Sequence, residues 1–119
     1  MNIDQDFRIL VVEDEALIGM LIEDMLSDIG CRNVEVAPSV EAALAALEKT
    51  EPHFAMLDVN LNGKRSFPVA DALKSRDIPF IFLSGYGAQG IERPYSGAKV
   101  LQKPFQLAEL ETCLEDALG

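Results

Sequence analysis

"RILVVEDEALIGMLIEDMLSDIG", residues 8–30, decides the fold. Its first five residues, "RILVV" (8–12), are a continuous β-rich run, the pattern of a strand covered on both faces. Glu13 and Asp14 follow at once. Then comes a helical pattern with Ile18, Leu21, Ile22, Met25 and Ile29 on one stripe and Gly30 as its stop. This is one strand–helix unit, with two acids at the joint.

The unit recurs along the chain. "NVEVA" (33–37) is a second strand, and Ser39 is placed to cap a helix whose apolar face is Val40, Ala43, Leu44 and Leu47. "FAMLD" (54–58) is a third strand, followed by a polar loop and a short helix running to about Arg76, with Pro68 in its first turn. "IPFIFL" (78–83) and "AKVLQ" (98–102) are the fourth and fifth strands. A final helix carries Leu107, Leu110, Leu114 and Leu118. Such alternation predicts an α/β fold, a parallel sheet with helices on both faces. The fourth helix is the weak unit. Gly85, Gly87, Gly90, Pro94 and Gly97 fall within it, each costly in a helix interior, so a short or mobile segment is expected.

With 119 residues, the chain has room for one core and is expected to form a single domain over 1–119 without an effector domain. No apolar run is long enough to span a bilayer, and the N-terminus has acids where a signal peptide carries basic residues, so a cytoplasmic location is expected. The net charge is −10, with no basic run. Nucleic acid and anionic membrane surfaces, which both attract clustered Lys and Arg, are poor partners for it. A divalent cation or a basic protein patch suits it better. Cys31 and Cys113 are too few and too isolated for a metal framework or a disulfide scaffold.

The reactive side chains gather at one end of the predicted sheet. Glu13 and Asp14 end the first strand, Asp58 the third, Ser84 the fourth and Lys103 the fifth. In open α/β sheets ligands bind beyond the carboxyl ends of the strands. Three converging carboxylates repel one another unless a cation intervenes. A hard divalent ion with oxygen ligands, Mg²⁺, would resolve that conflict and hold a phosphoryl group against Asp58, a carboxylate nucleophile. Lys103 would offset charge on the phosphoryl oxygens, and Ser84 would donate a hydrogen bond to one. Each residue alone also has a blander reading: two acids as a solvated turn, Ser84 as a helix cap, Lys103 as an exposed lysine, His53 as structural. Their joint register favours the site.

"VVEDE", "MLDVN", "FLSG" and "QKPF", in this order and context, resemble the receiver domain of two-component response regulators over essentially the whole chain. The resemblance implies a (βα)₅ flavodoxin-like fold with strand order 2-1-3-4-5. It implies Asp58 as phosphoacceptor, and Mg²⁺ held by Asp14, Asp58 and the Asn60 backbone carbonyl, with Glu13 acting through water. It also implies a cis bond before Pro104. Receivers usually carry an aromatic switch residue on the fifth strand, where this chain has Val100. That departure, an unusual loop after Asp58 and "PFIFLSGYG" (79–87) together resemble the FATGUY subfamily of small receivers, in which Tyr86 becomes the candidate substitute aromatic.

The expected function is that of a phosphoacceptor rather than an enzyme. It would be charged by a sensor histidine kinase or histidine phosphotransfer protein, and would act on a downstream protein target or as a phosphate sink, as a monomer or weak dimer. The alternatives are a phosphorylation-independent docking module, a Mg²⁺-dependent phosphatase with an Asp nucleophile, and a flavin protein. The phosphatase would need an acid where Asn60 stands, and the flavin protein would need an anion-friendly loop where "EDEA" stands.

Overall fold

The computed structural model describes residues 6–85 and 99–118. Strands β1 (Arg8–Val12), β2 (Asn33–Ala37), β3 (Phe54–Asp58), β6 (Phe80–Ser84) and β7 (Val100–Gln102) form one parallel sheet in the order β2-β1-β3-β6-β7. A two-stranded hairpin, β4 (Asn60–Leu61) and β5 (Lys64–Arg65), lies outside it. Counting sheet strands alone, the order is the expected 2-1-3-4-5, a flavodoxin-like α/β architecture. Helices α1 (Ala16–Ile29), α2 (Val40–Lys49), α3 (Phe67–Ser75) and α4 (Leu107–Leu118) complete the described elements. The expected fourth helix lies outside the described residues, as does Tyr86.

The central strands are buried on both faces, and their period of two divides the core in half. Ile9 and Val11 on β1, Phe54 and Met56 on β3, and Ile81 and Leu83 on β6 pack with Ile22 and Leu26 of α1 and Leu110 and Leu114 of α4. The alternate residues Leu10, Val12, Ala55, Leu57 and Phe82 pack with Ala43 and Leu47 of α2 and Val69 and Leu73 of α3. Continuous apolar runs such as "FAML" follow from this, since neither face of the strand meets water.

Local chemistry sets the helix ends. Ser39 Oγ accepts the Ala42 N–H at 3.0 Å and caps α2. Gly30 closes α1 at φ 112°, a left-handed conformation in which its N–H reaches the Leu26 and Ser27 carbonyls. Pro68 sits in the first turn of α3. His53 is structural, as expected: its Nδ1 accepts the Arg8 N–H at 2.9 Å and its ring stacks on Phe7.

Helix α1 differs from expectation. Its fully buried residues are Gly19, Ile22 and Leu26, whereas Leu21 is 57% exposed. A Cβ on Gly19 would stand only 3.0 Å from Val36 Cγ1. The missing side chain therefore lets this part of the helix lie close on β2, turning Leu26 inward and Leu21 outward. Ile18, Met25 and Ile29 flank the buried line. Leu26→Ala should lower unfolding free energy by about 2–4 kcal/mol in urea melts, and Leu21→Ala by no more than about 0.5 kcal/mol. The reverse ranking would contradict this orientation.

Candidate functional site

Parallel register brings the acids together. Val12 pairs with Leu57, so the residue after each, Glu13 and Asp58, stands at the same level of the sheet. Asp58 pairs in turn with Leu83, one residue before Ser84. The Lys103 N–H bonds the Ser84 carbonyl at 2.9 Å, which extends the β6–β7 ladder and aligns Lys103 with the others. The Lys103–Pro104 bond is cis, as expected. Glu13, Asp58 and Ser84 are buried, which for the two carboxylates is unusual without a cause.

Lys103 supplies part of that cause. Its Nζ lies 3.0 Å from Glu13 Oε2 and 2.5 Å from Asp58 Oδ1. The closer approach is an ion pair outside hydrogen-bond alignment, so Asp58 Oδ1 is buried with no hydrogen-bond donor among the described residues. One ammonium cannot balance the site. Burial, and then the neighbouring Glu13, push the Asp58 carboxyl up to about 8 despite Lys103. Burial also works against the charge on Lys103, but its close pairing with the Asp58 and Glu13 carboxylates prevails and holds its pKa above the usual lysine value.

Carboxylate oxygens of Glu13, Asp14 and Asp58 all lie within 4.8 Å of one another. Three clustered carboxylate oxygens, one of them buried without an aligned hydrogen-bond donor, fit a hard cation. The site opens into a cavity of about 480 Å³ lined among others by Asp14, Asp58, Asn60, Ser84 and Lys103. All five predicted strand-end groups thus sit at one sheet edge, with Asn60 beside them. Val100 is a half-buried aliphatic packed against the α2/α3 side of the core.

The stretch after Asp58, expected from the sequence to be a polar loop, is corrected by the structure. Asn60–Leu61 and Lys64–Arg65 pair as a hairpin around Asn62 (φ 51°) and Gly63 (φ 85°). Positive φ at both turn residues marks a type I′ turn, for which Asn-Gly is a favoured pair, so the signal was present in the sequence. The hairpin tip reaches the acids: the Asn62 N–H donates to Asp14 Oδ2 at 3.1 Å. It also brings Arg65, not foreseen as a site residue, to the cavity wall.

Comparison with known proteins agrees with this geometry. Residues 9–115 match the response regulator receiver domain, and the chain belongs to that family. Among solved structures, that of SdrG from Sphingomonas melonis Fr1 superposes with a TM-score of 0.83 at 38% identity, covering 98% of this chain and 100% of that one. The BeF3-activated conformation of SdrG, reported from Pseudomonas melonis Fr1, gives 0.82 at 41% identity, covering 94% and 96%. Among curated proteins, the phyllosphere-induced regulator PhyR of Methylorubrum extorquens is 33% identical over 97% of this chain and 45% of its own length. The chain spans about half the length of the curated relatives it matches first.

The raised Asp58 carboxyl has a consequence for stability. An acid whose folded pKa lies near 8, against about 3.9 unfolded, binds its proton more tightly in the native state. Native stability without divalent cations should therefore fall as pH rises from about 4 to about 8. Asp58→Asn should flatten that fall and stabilise the protein at pH 8 by about 1–3 kcal/mol, below the full linkage value because solvent screens the site. Denaturant melts at several pH values check both, and identical profiles for the two proteins would contradict the assignment.

Proposed function

We propose that this receiver domain accepts a phosphoryl group on Asp58 and signals through it. The observation that carries the reading is the buried Asp58 carboxylate, ion-paired to Lys103 and clustered with Glu13 and Asp14 at the mouth of an open cavity. In the transfer, an Asp58 carboxylate oxygen forms the new O–P bond while the donor's P–N or P–O bond breaks. The bond's electrons leave with the donor group, which takes a proton from solvent where it needs one.

Asp14, Asp58 and the Asn60 carbonyl, with Glu13 through water, are the residues that would hold Mg²⁺. Bound there, the ion supplies positive charge against the phosphoryl oxygens. The chain's own groups do the rest. Lys103 pairs with a phosphoryl oxygen as the negative charge on Asp58 passes to the phosphate, and Glu13 keeps the ammonium aimed at the site. The Ser84 hydroxyl, on the neighbouring strand end, donates to another phosphoryl oxygen. Similarity to a BeF3-activated receiver supports this chemistry, since beryllofluoride mimics a phosphoryl group on a carboxylate.

"PFIFLSGYG" and the aliphatic Val100 support grouping the chain with FATGUY receivers in this reading. With Val100 on the fifth sheet strand, the usual aromatic there is unavailable for switching, and Tyr86 takes that role. The donor is a histidine kinase or histidine phosphotransfer protein. Leu17, Met20 and Leu21 are 81%, 59% and 57% exposed on α1. Beside them, Ile18, Met25, Pro104 and Phe105 line an apolar cavity next to Lys103. Such a rim around a phosphoryl site fits a protein donor, and output passes through protein contacts.

Intact mass spectrometry with Mg²⁺ should show one phosphoryl increment from acetyl phosphate or from a phosphorylated histidine donor, and none in Asp58→Asn. A Leu17→Glu, Met20→Glu double variant should keep acetyl phosphate labelling and lose about tenfold in rate from the protein donor. Undiminished labelling of Asp58→Asn would refute the acceptor assignment. Undiminished transfer to the double variant would refute the docking face.

A further inference from the structure

We infer that Arg65 is a phosphoryl-binding residue of this site, delivered by the β4–β5 hairpin. The inference rests on the phosphoacceptor reading above and adds a second cation to it.

The register of the hairpin decides where Arg65 points. In a two-stranded ribbon, directly paired residues project from the same face and successive residues from opposite faces. Leu61 pairs with Lys64, and Asn60 with Arg65. Leu61 is buried in the core beside α2 and α3, and Lys64 Nζ meets Glu41 of α2 at 2.6 Å. Those two contacts fix one face of the ribbon against the body of the protein. The other face, Asn60 and Arg65, is left to the cavity, and both residues line it.

The hairpin is also tethered at both ends of its span. The Asn62 N–H holds Asp14 Oδ2 at the tip, and the Ser66 N–H bonds the Val59 carbonyl at 2.9 Å where the strands close. Arg65 is therefore carried by a short, anchored ribbon two residues beyond Asp58 in the chain.

Charge explains what a second cation would do there. Among the described residues lining the cavity, Lys103 and Arg65 are the cationic side chains. Lys103 is already committed to Glu13 and Asp58. Phosphorylation replaces a singly charged carboxylate by a doubly charged phosphoryl group, so the site gains one negative charge that Lys103 alone does not meet. A guanidinium suits that task, because its donors can pair with two phosphoryl oxygens at once. Arg65 is exposed, so it can reach an incoming phosphoryl group without paying for burial beforehand.

The test is beryllofluoride binding in the presence of Mg²⁺, followed by amide NMR on the full chain, with circular dichroism confirming the fold of each variant. Arg65→Gln should weaken beryllofluoride binding about tenfold, and Arg65→Lys should recover part of the loss. Lys64→Gln removes the same charge from the opposite face of the ribbon and should stay within about twofold of wild type. Equal losses in Arg65→Gln and Lys64→Gln would reduce the effect to bulk charge and overturn the proposal. So would wild-type affinity in Arg65→Gln, with the phosphoacceptor reading left standing. Failure of the wild-type protein itself to bind beryllofluoride or take up phosphate would instead remove the reading on which the proposal rests.

Discussion

A buried carboxylate that its surroundings do not fully compensate is the constraint on which this structure turns. Asp58 ends a strand covered on both faces, so its side chain emerges where water is scarce. The parallel register then sets Glu13 at the same level, and the chain after β1 adds Asp14. Lys103 answers part of the charge, and the carboxyl of Asp58 still rises far above the ordinary range. A buried charge cluster left in that condition lowers stability, and folds keep such clusters where function needs them. A divalent cation bound at this cluster would relieve the conflict, and the proposed phosphoryl transfer would exploit the same preorganised positive groups.

The remaining features arrange themselves around that cluster. The core of α1 and α4 on one face and α2 and α3 on the other holds the strand ends in register. The β4–β5 hairpin projects from the end of β3 and pins Asp14 with a backbone N–H. Its inner face is tied to α2 through Lys64 and Glu41, which are both exposed, so that pair orients more than it stabilises. Ser66 follows the hairpin with its hydroxyl buried and without a hydrogen-bond partner among the described residues. The joint between hairpin and α3 is thus less well satisfied than the sheet it adjoins.

Much of this was legible in the sequence, for reasons that differ by element. Four-residue apolar runs such as "ILVV" and "FAML" are distinctive because both faces of the strand are covered. Residues immediately after such runs must lie at the carboxyl edge, which is why Glu13, Asp14, Asp58, Ser84 and Lys103 were found together. The Leu21 error arose because a helical stripe defines an apolar face only broadly. What turned the helix was a long-range contact, Gly19 against Val36, that no local pattern encodes. The hairpin was missed although Asn62-Gly63 signalled it, because strands of two residues carry no periodicity to read. Without the hairpin, Arg65 had no reason to be placed at the site.

The proton on Asp58 is measured most directly by carboxyl ¹³C NMR of Asp58 across a pH titration. Without divalent cations the resonance should titrate near 8, and saturating Mg²⁺ should move the transition down into the ordinary carboxylate range. A single transition near pH 4, the same with and without Mg²⁺, would contradict the account.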